Sequence, residues 1–114
     1  MSDAASTRAW VRWTSAGFHY WPGALGNQTY LSVRHRHLFH FEVAVDVYHD
    51  DRDVEFHDLL NHCKQFTGYH AEWEGNSCES IARLVAAHVQ ERWPDRNPTV
   101  TVSEDGECGA TVQF

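Results

Sequence analysis

The sequence predicts an α+β domain in which an antiparallel four-stranded sheet carries two helices on one face, in the chain order β-β-α-α-β-β. Three observations predict it. From Phe39 to Val47 apolar residues recur at every second position, the period of a half-buried strand. Two later segments carry apolar residues at helical spacing. Residues 99–114 then read as two short strands about an Asp105-Gly106 turn, the composition of a tight hairpin. Packing both helices against one face of such a sheet is the economical way to bury all these apolar faces together.

The elements follow in order. Residues 1–7 read as a flexible polar leader, and residues 8–18 are aromatic and β-leaning, with Trp10, Val11 and Trp13. Residues 21–27 hold Pro22, Gly23, Gly26 and Asn27 and read as a loop. From Tyr30 to Tyr48 the period is two. Phe39, Phe41, Val43, Val45 and Val47 share one parity, and His40, Glu42, Ala44 and Asp46 take the other. A polar turn over residues 49–53 precedes a helix at 55–66, where Phe56, Leu59, Leu60, Cys63 and Phe66 form one apolar face. Residues 68–76 read as a loop. Ser77 is the N-cap expected for a second helix striped by Ile81, Leu84, Val85, His88 and Val89, and Pro94 stops it. Strands are expected at 99–104 and 110–114.

Composition narrows the function. The 114 residues suit one domain, and 42% hydrophobic with 13% aromatic residues suits a packed core. Sixteen acidic against nine basic residues, a formal charge of −7, argue against sequence-independent nucleic-acid binding and against docking on an anionic membrane. No apolar run is long enough to span a bilayer, and the first residues lack the basic start and apolar stretch of a signal peptide. Cys63, Cys78 and Cys108 are odd in number and far apart, so reduced thiols and a cytoplasmic setting are expected. A small open sheet leaves unpaired edges, and sheet-edge association into a closed oligomer would cover them.

Histidine is the unusual component, nine residues in all. His35 and His37 lie two apart in the period-two segment, so both imidazoles share one face, and they share the parity of Phe39 and Phe41. His19, at the end of the preceding strand, supplies a third. Three neutral imidazoles with a vacant fourth position describe a catalytic zinc site, whereas two histidines on a strand can equally be ordinary hydrogen-bonding residues. His40 has the opposite parity and faces solvent. His49, His57, His62 and His88 read as turn, helix-surface or helix-boundary groups.

Taken together, Ala16-Gly17-Phe18-His19 and His35-Arg36-His37-Leu38-Phe39-His40-Phe41-Glu42-Val43 resemble the "H … HGH-x-aromatic-x-V" pattern of the 6-pyruvoyltetrahydropterin and 6-carboxytetrahydropterin synthase family. Three further segments resemble it in the same order. Val54-Glu55-Phe56-His57-Asp58-Leu59-Leu60 is similar to the family's first helix start, with Glu55 in the Asp place. Asn76-Ser77-Cys78-Glu79-Ser80-Ile81-Ala82 is similar to its second, and Val100-Thr101-Val102-Ser103-Glu104 to its "V-x-V-x-E" hairpin. The resemblance spans residues 13–114. It implies the tunnelling fold, with trimers or hexamers that close into a barrel, and a Zn2+ held by His19, His35 and His37. It also implies Glu104 as the carboxylate that anchors a pterin or purine-like ring, a role a carboxylate fills by accepting two parallel N–H bonds. Glu79 matches a further family Glu; a helix dipole stabilising a first-turn carboxylate explains it as well.

The departures concern proton transfer. Family members carry a Cys a few residues before the HxH, and Leu31 stands in its place here. The family's Asp-His pair has its counterpart in Tyr69-His70, with Tyr in the Asp place, so His70 is the candidate proton-transfer residue and Glu72 its candidate orienting group. Of the cysteines, Cys63 reads as core. Cys78 sits at a helix N-terminus, where the dipole would lower its pKa, and Cys108 lies just after Glu104. Trp21 is a candidate stacking lid, and Arg34, Arg36 and Arg52 are available for phosphate. Three functions follow: a tetrahydropterin synthase-like lyase acting on a dihydroneopterin-triphosphate-like substrate, a non-catalytic zinc-containing protein that binds a pterin, purine or nucleotide, and a structural oligomer.

Overall fold

In a computed structural model, which describes residues 5–114 except for the His70 side chain, the two alternating segments form a long antiparallel pair, β1 (Thr7–His19) and β2 (His35–Val47). The alternation has its expected cause. Ala9, Val11 and Trp13 on β1, and Phe39, Phe41, Val43 and Val45 on β2, all bury their side chains on one face. The helix α1 (Phe56–Thr67) packs on β1 and is capped by Glu55, whose carboxylate accepts the Asp58 N–H at 2.7 Å. After it, β3 (His70–Glu74) runs parallel to β1. The helix α2 (Cys78–Arg92) opens on the Ser77 cap, 3.1 Å from the Ser80 N–H, and packs on β4 (Thr99–Glu104) and β5 (Cys108–Gln113). Both helices lie on the same face and seal it with Leu59, Cys63, Ile81, Val85 and Val89. No helix among the described residues is long and apolar enough to cross a membrane.

The sheet has five strands in the order β3-β1-β2-β4-β5, where four antiparallel ones are expected. The added strand is β3, within the segment read as a loop. Five residues bounded by Gly68 and Gly75 offer too little alternation to be seen. Pairing with β1, and the burial of Trp73 against the core, decide its conformation instead. The period-two segment begins as a strand only at His35, because residues 26–32 wind into a 3-10 helix. Thr7, placed in the leader by the sequence, already pairs with Val47, and residues 1–4 lie outside the described residues. The final strand starts at Cys108 rather than at 110.

His62 and His88 are interface residues rather than helix-surface ones. Their rings stack 3.9 Å apart between α1 and α2, and each Nε2–H donates to the other's backbone carbonyl, at 2.9 and 2.8 Å. The hairpin turn is as expected, with Asp105 (φ 57°) and Gly106 (φ 72°) both in the left-handed region that Asp and Gly tolerate.

Candidate metal centre

The β1–β2 register places His19 opposite His35 and Gly17 opposite His37. Strand pleating turns all three imidazoles to the buried face of the sheet's end, the face that carries Phe39 and the core. Ring centroids lie 4.6 Å apart for His19–His35, 5.2 Å for His19–His37 and 4.9 Å for His35–His37. One nitrogen from each lies within 4.8 Å of the other two. Gly17 lets Trp73 and Phe39 pack against β1 beside the triad, since a Cβ there would sit 2.8 Å from the Trp73 indole nitrogen and 2.9 Å from the Phe39 ring.

Each ring has its Nδ1 engaged. His19 Nδ1–H donates to the Asn76 carbonyl at 3.0 Å, His35 Nδ1–H to the Val33 carbonyl at 2.8 Å, and His37 Nδ1–H to Asp105 Oδ2 at 2.8 Å. These acceptors fix the tautomer, so Nε2 carries the free lone pair on every ring. The Nε2 atoms of His19 and His37 are buried and have no hydrogen-bond partner. Glu104 does not relieve them. Its oxygens lie 3.7 Å from His19 Nε2 and 3.1 Å from His37 Nε2, so with neutral rings acceptors face acceptors. A buried arrangement of that kind is costly unless a cation lies among the lone pairs. Three imidazoles are a donor set that suits Zn2+, and outer acceptors on Nδ1 are what metal-bound histidines ordinarily have. The residues present therefore fit a metal.

Burial pushes the His19 pKa down, against the opposing pull of the Asn76 carbonyl and the Glu104 charge. That direction favours the neutral, ligating form. Asp105 is held below the usual carboxylate range, first by its bond to His37 and then by the Leu38 N–H.

A cavity of about 300 Å³ opens beside the histidines. It is lined by His19, His35, Glu79 and Glu104, by Cys78 and Cys108, and by Trp21 and Leu31. Glu79, Glu104 and Trp21 line the same cavity. His70 opens β3 opposite Ala16, and its side chain lies outside the described residues. Glu72, the candidate partner of His70, is held by Arg34. Arg52 pairs with Asp51, and among the described residues none of Arg34, Arg36 and Arg52 lines the cavity.

The thiols divide differently from expectation. Burial pushes Cys78 up to about 12, and the Glu104 and Glu79 charges add to it, overriding the lowering that a helix N-terminus gives. Cys63 is also pushed up to about 12 by burial, and only Cys108 is exposed. A thiol reagent at about pH 8 should therefore modify Cys108 alone in the folded chain and all three cysteines after unfolding. Rapid labelling of Cys78 in the folded chain would contradict this environment.

Sequence reasoning missed the acceptors behind the histidines. Asp105 reads as a turn residue, and Asn76 and Val33 act through backbone carbonyls, which no side-chain pattern signals.

Solved structures share this fold. A Plasmodium falciparum 6-pyruvoyl tetrahydropterin synthase superposes with a TM-score of 0.68 at 12% identity, covering 96% of this chain and 98% of that one. A catalytic-residue mutant of the Plasmodium vivax 6-pyruvoyltetrahydropterin synthase gives 0.70 at 15% identity over the same shares, and another structure of the synthase from that organism gives 0.63 at 13%. No protein-family model matches the sequence, and no curated protein is similar to it.

Proposed function

We propose that this chain, which has the fold of the 6-pyruvoyltetrahydropterin synthases, is a Zn2+-dependent lyase of the tetrahydropterin synthase type with altered proton-transfer residues. Its substrate would resemble dihydroneopterin triphosphate. The observation that carries the reading is the set of three inward Nε2 lone pairs, each fixed by an acceptor on Nδ1, beside a cavity of heterocycle size. His19, His35 and His37 would hold the zinc, which when bound polarises a substrate oxygen or lowers the pKa of a bound water. Glu104 would accept the paired N–H groups of the ring, and Glu79 would meet the ligand from the start of α2. Trp21 would cover the ring's face, and His70 is the candidate for moving a proton on the substrate side chain. The whole chain, residues 1–114, would act as one domain in the cytoplasm, in a trimer or hexamer that covers the outer edges of β3 and β5.

A second reading has its own support. Leu31 lines the cavity where the family resemblance places a Cys, and the Cys78 thiol is held protonated. A non-catalytic zinc-containing protein that captures a pterin, purine or nucleotide fits those facts. Titrating a pterin into the zinc-loaded chain, together with turnover of dihydroneopterin triphosphate, separates the two. Binding with turnover supports the lyase; binding without turnover supports the capture protein. Glu104→Gln should weaken pterin binding by about 1.5–3 kcal/mol through the lost charged hydrogen bond. Unchanged affinity would remove Glu104 from the ring site.

A further inference from the structure

We infer that Asp105 is a positioning residue for His37, holding that one imidazole in its metal-binding tautomer and strengthening it as a donor. The inference rests on the metal reading above and adds a residue to it.

The three histidines are not supported alike. His19 and His35 donate their Nδ1–H to neutral backbone carbonyls, whereas His37 donates to a carboxylate, Asp105 Oδ2, at 2.8 Å. A charged acceptor draws the Nδ1 proton more strongly and makes the opposite nitrogen the better donor. The carboxylate is itself fixed from three directions. Asp105 Oδ1 accepts the Leu38 N–H at 2.9 Å, the Asp105 N–H donates to the Leu38 carbonyl at 2.8 Å, and the left-handed turn with Gly106 sets its backbone. His37 and Leu38 are neighbours on β2, so both oxygens of one carboxylate bracket the ligand. One oxygen holds the backbone beside it and the other holds its ring. The hairpin turn is thereby a part of the site, although its sequence reads only as a turn.

Asp105→Asn isolates this role. Asn tolerates a positive φ and can still accept the Leu38 N–H, so the turn is retained. Its single carbonyl oxygen cannot also accept from His37, and the NH₂ would face another N–H. The test is zinc affinity by competition with a chromophoric chelator, alongside the imidazole N–H resonances of the zinc-loaded chain and the apo unfolding midpoint. The expected result is a loss of about 10–100-fold in zinc affinity. The low-field His37 Nδ1–H resonance should shift, those of His19 and His35 should stay, and the apo midpoint should fall only by what one lost hydrogen bond costs. Wild-type affinity in the variant would overturn the inference and leave the metal site standing. A weaker affinity with the His37 resonance unmoved would also overturn it, since general attraction of a cation by a nearby carboxylate would then be the cause. A wild-type chain that takes up no zinc would overturn the metal reading and this inference together.

Discussion

His19→Ala should lose metal affinity by far more than the roughly 10–100-fold that removing an outer partner costs. His19 is the most buried of the three histidines, 7% exposed, and its Nε2 has no hydrogen-bond partner. Removing it would leave two imidazoles to hold the ion, without the nitrogen that β1 contributes. The same substitution should change how stability of the metal-free chain depends on pH. Burial lowers the folded pKa of His19 below its ordinary value of 6.5. The unfolded chain therefore takes up this proton first as pH falls, so the contribution is present above pH 6.5 and is lost progressively below it. In His19→Ala that portion of the acid sensitivity should disappear. Chelator competition and unfolding at a series of pH values check both effects. Undiminished zinc affinity in the variant would remove His19 from the ligand set.

Phe39→Ala should carry the largest cost in stability, about 3–5 kcal/mol. Phe39 is fully buried and stands between the core and the histidine triad. Its ring meets His19 edge-on at 5.3 Å and His37 at 5.7 Å, and extends toward Phe41 at 6.4 Å. It also lies against the space that Gly17 leaves open. Truncation opens a cavity behind two of the three histidines, so zinc affinity should fall with stability. Denaturant unfolding of the metal-free chain gives the first quantity and chelator competition the second. A change below about 1 kcal/mol would mean that the neighbouring rings collapse into the space.

What the sequence discloses follows from which forces act locally. The alternation of β2, the stripes of the helices and the Asp105-Gly106 turn are consequences of local periodicity and φ preference, so they are legible. The same alternation places His35 and His37 together, and His19 joins them because the two long strands pair end to end. The strand β3 is not legible, because five residues become a strand only by pairing with β1. The 3-10 helix over residues 26–32 and the stacked His62–His88 pair are likewise products of tertiary packing. The acceptors behind the histidines are hidden for a different reason. Two are main-chain carbonyls, and the third, Asp105, is brought to His37 by β2–β4 pairing across a separation of 68 residues. Cys78 shows the converse error, where a correct local rule about helix N-termini loses to burial.

The histidine triad is arranged to hold a metal ion. Metal content per chain, measured on protein purified without added zinc or chelators, tests it most directly, with the His35→Ala/His37→Ala double variant as control. About one zinc per chain is expected in the wild type and none in the control. A wild type without metal, or a double variant that retains it, would mean that the triad is not a metal site.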